Sequence, residues 1–215
     1  MRGLIVTGIG TDVGKTYVAT VLAAGLGWPY WKPVQTGAPP DRETVARYGV
    51  VSWPERYHLP LPAAPLVAAQ KAGLSLSWEV LNAPPPAAPL VIEGAGGLFV
   101  PLTESHFMID LFAEWALPLV LVVRPYLGAM NHTWLSLEAI QRRGLPFLGI
   151  VLNGTTGDVS EGYFRRAFPL LGEMPWGPLN DPARVFVESG LAAALQAHLS
   201  LPSSSSSSMR GGSKS

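Results

Sequence analysis

Gly8-Ile9-Gly10-Thr11-Asp12-Val13-Gly14-Lys15-Thr16 directly follows the apolar run Leu4-Ile5-Val6 and leads into a helical pattern. These residue types suit a phosphate chain. Glycines let backbone N–H groups approach phosphate oxygens, and the start of a helix adds positive potential. Lys15 brings a point charge to β- and γ-phosphates, and the Thr16 hydroxyl is a hard oxygen ligand for Mg2+. Five residues separate Gly8 from Gly14, one more than in the common phosphate loop. A ligand-free turn would account for the glycines but not for Lys15-Thr16 at the helix start, so nucleotide binding is expected.

Three further segments carry chemistry-bearing side chains. Val91-Ile92-Glu93-Gly94-Ala95-Gly96-Gly97 places a carboxylate at the tip of an apolar strand, with small residues after it. Ligands of open α/β sheets sit beyond the carboxyl ends of the strands, so Glu93 is expected to face Thr16 and hold Mg2+, directly or through water. The alternative is an exposed acid in a glycine turn. Lys32, in Trp31-Lys32-Pro33-Val34, reads either as a cleft residue or as an edge lysine that snorkels to solvent. Leu127-Gly128-Ala129-Met130-Asn131-His132 reads either as ordinary helix geometry or as a helix start that receives a carboxylate. His132 reads as structural.

The elements needed to position these groups are legible as alternation. Apolar runs occur at 4–6, 30–34, 89–93, 118–123 and 147–152, with a weaker one at 170–174. Continuous apolar strands indicate burial on both faces, as in a parallel sheet. Helices are expected over 14–26, 41–48, 107–115, 130–143, 160–168 and 182–199, with helical turns at 66–72 and 77–81 inside a Pro-rich stretch, 50–89. Strand–helix alternation implies right-handed βαβ units. The expected fold is α/β: a three-layer P-loop NTPase fold with a mostly parallel central sheet flanked by helices. Residues 1–200 read as a single P-loop ATPase/ligase domain. Residues 201–215, with six consecutive serines, read as a disordered Ser/Gly-rich tail.

Composition narrows the classes. Formal net charge is zero and no basic stripe appears, which argues against nucleic acid as a partner. Cysteine is absent, which removes disulfides, thiolate metal sites and cysteine nucleophiles. No window has the ~18 apolar residues of a membrane span, and the N-terminus does not resemble a signal peptide, so a cytoplasmic location without membrane association is expected. Charged residues make up only 14%, which either a homo-oligomer or a Pro- and Ala-rich surface would explain.

Four segments in order resemble the dethiobiotin synthetase family: Gly8-x5-Gly14-Lys15-Thr16, Lys32-Pro33-Val34-x-Thr36-Gly37, Glu93-Gly94-Ala95-Gly96-Gly97 and Leu127-Gly128-x-x-Asn131-His132. The likeness runs from Leu4 to about Pro178, and the long loop is typical of that family. The resemblance implies an ATP- and Mg2+-dependent cyclo-ligase of biotin biosynthesis. CO2 and an amine of 7,8-diaminononanoate form a carbamate, ATP phosphorylates it, and the second amine closes the cyclic urea. It further implies that Lys32 supports the carbamate and transferred phosphoryl, with Lys15 at the phosphates. Asp12, Val13, Gly14, Lys15, Thr16 and Tyr17 would bind ATP, as would Glu93, Gly94, Ala95 and Gly96. Asn153, Gly154, Pro175, Trp176 and Gly177 would frame adenine. Thr16, Glu93 and a third acid would hold Mg2+; Asp41 is chosen, with Glu43 close behind. Thr11 and Thr36 would lie near the diamine or carbamate. Gly128, Ala129, Met130 and Asn131 would take the substrate carboxylate across the interface of a homodimer.

Three features depart from the family pattern: Asp12 stands where many relatives carry Glu, the link from Gly37 to the next acids, Ala38-Pro39-Pro40-Asp41-Arg42-Glu43, is short, and residues 53–64 match nothing that can be placed. A partitioning ATPase of the same superfamily would carry a second lysine near the loop start, where this chain has Gly10, and a basic tail, whereas residues 188–199 contain no Lys or Arg. Amidotransferase-linked ligases need a cysteine nucleophile, and no Asn-Lys-x-Asp guanine motif is present.

Overall fold

β-branched and leucine-rich runs alternate with helices along the chain, and the computed structural model assembles them around one sheet. It describes residues 3–86, 89–155 and 159–200. The proposed tail, 201–215, lies outside the described residues. The elements in order are β1 (Leu4–Gly8), α1 (Lys15–Leu26), β2 (Tyr30–Trp31), β3 (Val34–Thr36), α2 (Asp41–Ala46), β4 (Ser52–Trp53), β5 (Tyr57–Leu59), α3 (Pro65–Lys71), α4 (Trp78–Asn82), β6 (Val91–Glu93), α5 (Met108–Trp115), β7 (Leu119–Val123), α6 (Ala129–Arg142), β8 (Phe147–Thr155), α7 (Val159–Ala167), β9 (Leu170–Pro175), α8 (Pro182–Glu188) and α9 (Leu191–Ser200).

Seven strands form one sheet in the order β4-β2-β6-β1-β7-β8-β9, and every pairing is parallel. Strand periodicity sends alternate side chains to opposite faces. Leu4 and Val6 join Val18 and Leu22 of α1, Phe186 of α8 and Leu191 of α9. Ile5 joins Phe112 of α5, Ile140 of α6 and Phe164 of α7. Both faces are therefore covered, which is why the strands read as continuous apolar runs. At roughly 1.5–3 kcal/mol for each buried Val, Leu or Ile, this core anchors the strand ends that carry the site. Gly25 lets α8 come close, since a Cβ there would lie 2.1 Å from the Phe186 ring.

Two elements differ from expectation. The strand expected at 30–34 is broken: β2 ends at Trp31, and β3 pairs with β5 in a separate two-stranded parallel sheet. Pro33 has no N–H to continue the ladder, so the chain leaves the main sheet there. The helix expected at 182–199 is two helices, α8 and α9, divided at Ser189-Gly190, where Gly190 takes φ 85°. The Pro-rich stretch 50–89 supplies β4, β5, α3 and α4, the two helices lying where helical turns are expected.

Candidate active site

The loop between β1 and α1 carries two residues in the left-handed region, Asp12 at φ 58° and Gly14 at φ 89°. Asp tolerates that conformation better than most residues, and Gly adopts it freely. Gly14 has a second constraint. Asn153 at the end of β8 donates from Nδ2 to the Val13 carbonyl at 2.9 Å, and a Cβ on Gly14 would lie 2.0 Å from that same Nδ2. Gly14→Ala is therefore expected to cost about 2–3 kcal/mol of stability from the strained backbone and the displaced amide. It should also weaken nucleotide binding; thermal denaturation and ADP titration calorimetry would measure the two losses.

Three strand ends and two helix starts meet beyond this loop. Glu93 follows Ile92, which pairs with Trp31, and lies opposite Val6 on β1. The Thr16 hydroxyl donates to Glu93 Oε1 at 2.9 Å and to Asp41 Oδ2 at 3.3 Å. Lys32 Nζ is ion-paired with Asp41 Oδ2 and lies 3.2 Å from Glu93 Oε1. Asp41 opens α2, and its backbone N–H donates to Gln35 Oε1 at 3.3 Å. Lys15 donates from Nζ to the Gly10 carbonyl at 2.8 Å. One hydroxyl and two carboxylates thus converge on one point, a hard-oxygen set of the kind Mg2+ completes with phosphate oxygens and water. No group of three or more His, Cys, Asp or Glu side chains that could hold a metal forms among the described residues.

The two lysines shift in opposite directions. Burial pushes the Lys15 ammonium down to about 8, with the nearby Glu93 charge only partly offsetting it. Burial also disfavours the Lys32 ammonium, but the Glu93 and Asp41 carboxylates outweigh it and hold the pKa above the ordinary lysine value. Lys32 is therefore a fixed cation locked into the acidic cluster.

A cavity of about 510 Å³ opens here. Of the residues singled out from sequence, Thr11, Asp12, Gly14, Lys15, Thr16, Lys32, Thr36, Asp41, Glu93, Ala95 and Gly96 line it. Of the two acids weighed, Asp41 lines the cavity, whereas Glu43 is exposed in the first turn of α2. Val13 is buried, Tyr17 packs partly buried against the core, and Gly94 abuts the Phe112 ring. Sequence reasoning missed Tyr30, whose hydroxyl donates to Glu93 Oε2 at 2.8 Å, and Gln35, which holds Asp41. The period of two from Lys32 was the available signal for Tyr30. It also missed the apolar wall formed by residues 62–65 and Val100, which no local pattern marks.

The remaining residues stand apart from this cavity. Asn153 and Gly154 lie in β8, Pro175 ends β9 and Trp176 and Gly177 follow it; none of the five lines the cavity. Asn153 Oδ1 is buried with no hydrogen-bond partner among the described residues. Trp176 is half exposed, and the Arg124 guanidinium covers its ring at 3.8 Å. Gly128 at φ 100° precedes α6, and 128–131 do not line the main cavity. His132 lines a second cavity of about 420 Å³ with Gly10 and Thr11. Its Nδ1 is 2.7 Å from the Tyr126 hydroxyl.

A family model described as "AAA domain" matches residues 2–184. An ATP-dependent dethiobiotin synthetase of Rhodopseudomonas palustris is 42% identical over 205 residues, covering 90% of this chain and 94% of that one. One of Afipia carboxidovorans is 48% identical over 158 residues, covering 70% and 75%. Among solved structures, a plasmid partition protein of Borrelia burgdorferi superposes with TM-score 0.60 at 11% identity, covering 91% of this chain and 98% of that one. The cell division ATPase MinD of Pyrococcus furiosus gives 0.54 at 18%, covering 92% and 100%. At such identities the likeness shows the fold alone.

Proposed function

The chain belongs to the ATP-dependent dethiobiotin synthetase family, and from that premise we propose that it joins CO2 to 7,8-diaminononanoate and closes the cyclic urea of dethiobiotin at the expense of ATP. The observation that carries this reading is the meeting of Lys32 with Thr16, Asp41 and Glu93 on the wall of one cavity beside the Gly8–Thr16 loop. Two separate lysines, one in the loop and one on the facing strand end, suit a reaction in which an anion accepts a phosphoryl group.

The roles of the residues follow from their surroundings. Lys15 binds the phosphate chain. Thr16, Asp41 and Glu93 would hold Mg2+, which when bound neutralises charge on the phosphates. Lys32, kept protonated by two carboxylates, orients the carbamate and balances its charge. Thr11 and Thr36 supply polar contacts, and residues 62–65 with Val100 offer an apolar wall for the alkyl chain. No protein nucleophile is required: the second amine attacks within one bound molecule, at high effective concentration. Asn153, with its free Oδ1 acceptor, and the segment at Pro175-Trp176-Gly177 would frame adenine.

The working form would be a homodimer. Phe99, Tyr126, Leu127, Met130, Trp134 and Leu135 are large apolar side chains left exposed, and five of the six lie at or on α6. A second copy covering them would bring its 128–131 helix start toward the cavity, where it could take the substrate carboxylate. Leu135→Glu is expected to halve the mass in analytical ultracentrifugation and to raise the KM for the diamine; an unchanged mass would rule out this face as the contact. No helix among the described residues is long and apolar enough to cross a membrane.

The direct test combines protein, ATP, Mg2+, bicarbonate and 7,8-diaminononanoate and looks for dethiobiotin by mass. Its formation only with all components supports the reading. ATP hydrolysis that proceeds without the diamine and yields no cyclic urea would end it.

A further inference from the structure

Glu93 is the most enclosed acid of the site, and its two oxygens have different partners. Oε1 faces Thr16 and Lys32, at 2.9 and 3.2 Å. Oε2 receives the Tyr30 hydroxyl at 2.8 Å. Tyr30 is fully buried in β2, two residues before Lys32 on the same side of the strand, so its ring is fixed by the core. Its single hydroxyl proton is donated to Glu93 Oε2.

The phenol thus fixes which oxygen faces the cluster: Oε1 is turned to Thr16 and Lys32, where an ion beside Thr16 would meet it, and Oε2 is turned to Tyr30. Mg2+ is small, demands near-octahedral geometry and takes carboxylates through single oxygens, whereas Ca2+ is larger and readily accepts both oxygens of one carboxylate. We propose that Tyr30 is a positioning residue that sets the metal preference of the site, holding Glu93 to single-oxygen ligation and so favouring Mg2+ over Ca2+. The inference rests on the reading of Thr16, Asp41 and Glu93 as the metal-holding set. Tyr30 is not among the residues that line the cavity; it works through Glu93.

The test compares the wild-type protein with Tyr30→Phe, titrating ADP by calorimetry in the presence of Mg2+ or of Ca2+. This readout needs no turnover. The ratio of Mg2+-supported to Ca2+-supported affinity should fall about tenfold in the variant, the size of one hydrogen bond to a charged group. A purely structural role would lower thermal stability and both affinities together; a ratio preserved within roughly twofold overturns the proposal. Should the wild type bind ADP equally with and without a divalent ion, the metal-holding set itself fails, and the proposal with it. Because Tyr30→Phe leaves Glu93 Oε2 buried without that donor, a second measurement that keeps the hydroxyl uses 3-fluorotyrosine placed at position 30 alone. Its fluorine resonance should move when Mg2+ and ADP are added, as the ion draws charge from Glu93, and an unmoved resonance also overturns the proposal.

Discussion

Replacing Lys15 by alanine is expected to lower kcat/KM by about 10³-fold or more while leaving the fold intact. The fold should survive because Lys15 is the first residue of α1, where alanine is a better helix former, and because its ammonium makes one hydrogen bond, to the Gly10 carbonyl at 2.8 Å. Burial already works against that ammonium, bringing its pKa down to about 8, so removing it takes away a desolvation cost along with the bond. Catalysis should not survive, because phosphoryl transfer here depends on position and charge neutralisation rather than on a protein nucleophile. Without the ammonium, the backbone amides of the loop face the phosphate oxygens with no mobile cation among them. Thermal denaturation would show a melting temperature near that of the wild type, and dethiobiotin formation would show the loss. Turnover within tenfold of the wild type would remove Lys15 from the chemistry.

The parts of the site that could be read from sequence are those whose geometry is local. Lys15 and Thr16 follow from a loop and a helix start adjacent in sequence, so their types and spacing suffice. Glu93 was legible because an acid at the tip of an apolar strand has few places to go in a parallel sheet. Asp41 was legible only as one of two acids. Choosing it over Glu43 requires the phase of α2, which begins at Asp41 and turns Glu43 outward. Tyr30 and Gln35 act through partners 63 and 6 residues away, on contacts that exist only once β2 lies beside β6 and the chain turns at Pro33. The break in the expected 30–34 strand has the same origin. Pro33 signals it, but which sheet receives Val34 depends on β5, whose residues carry no distinctive pattern. The apolar wall at 62–65 is likewise a product of packing.

Lys32 offers the sharper test of mechanism, because it can be separated from nucleotide binding. Lys32→Met keeps the aliphatic bulk and removes the charge. Turnover is expected to fall by about 10³-fold, with the affinity for ADP and Mg2+ changed by less than roughly threefold. The reason lies in the cluster. Lys32 pairs with Asp41 and sits 3.2 Å from Glu93, whereas Lys15 hydrogen-bonds the phosphate loop itself. Removing Lys32 leaves two carboxylates facing each other near Thr16 with no cation between them, which costs stability in the metal-free protein. A divalent ion can replace that missing charge, so Mg2+ should raise the melting temperature more in the variant than in the wild type. Three readings then belong together: lost turnover, retained nucleotide affinity and enhanced stabilisation by Mg2+. A parallel loss of affinity and turnover would mean that Lys32 grips the nucleotide instead. An unaltered response to Mg2+ would mean that Lys32 does not compensate the carboxylates proposed to hold the ion.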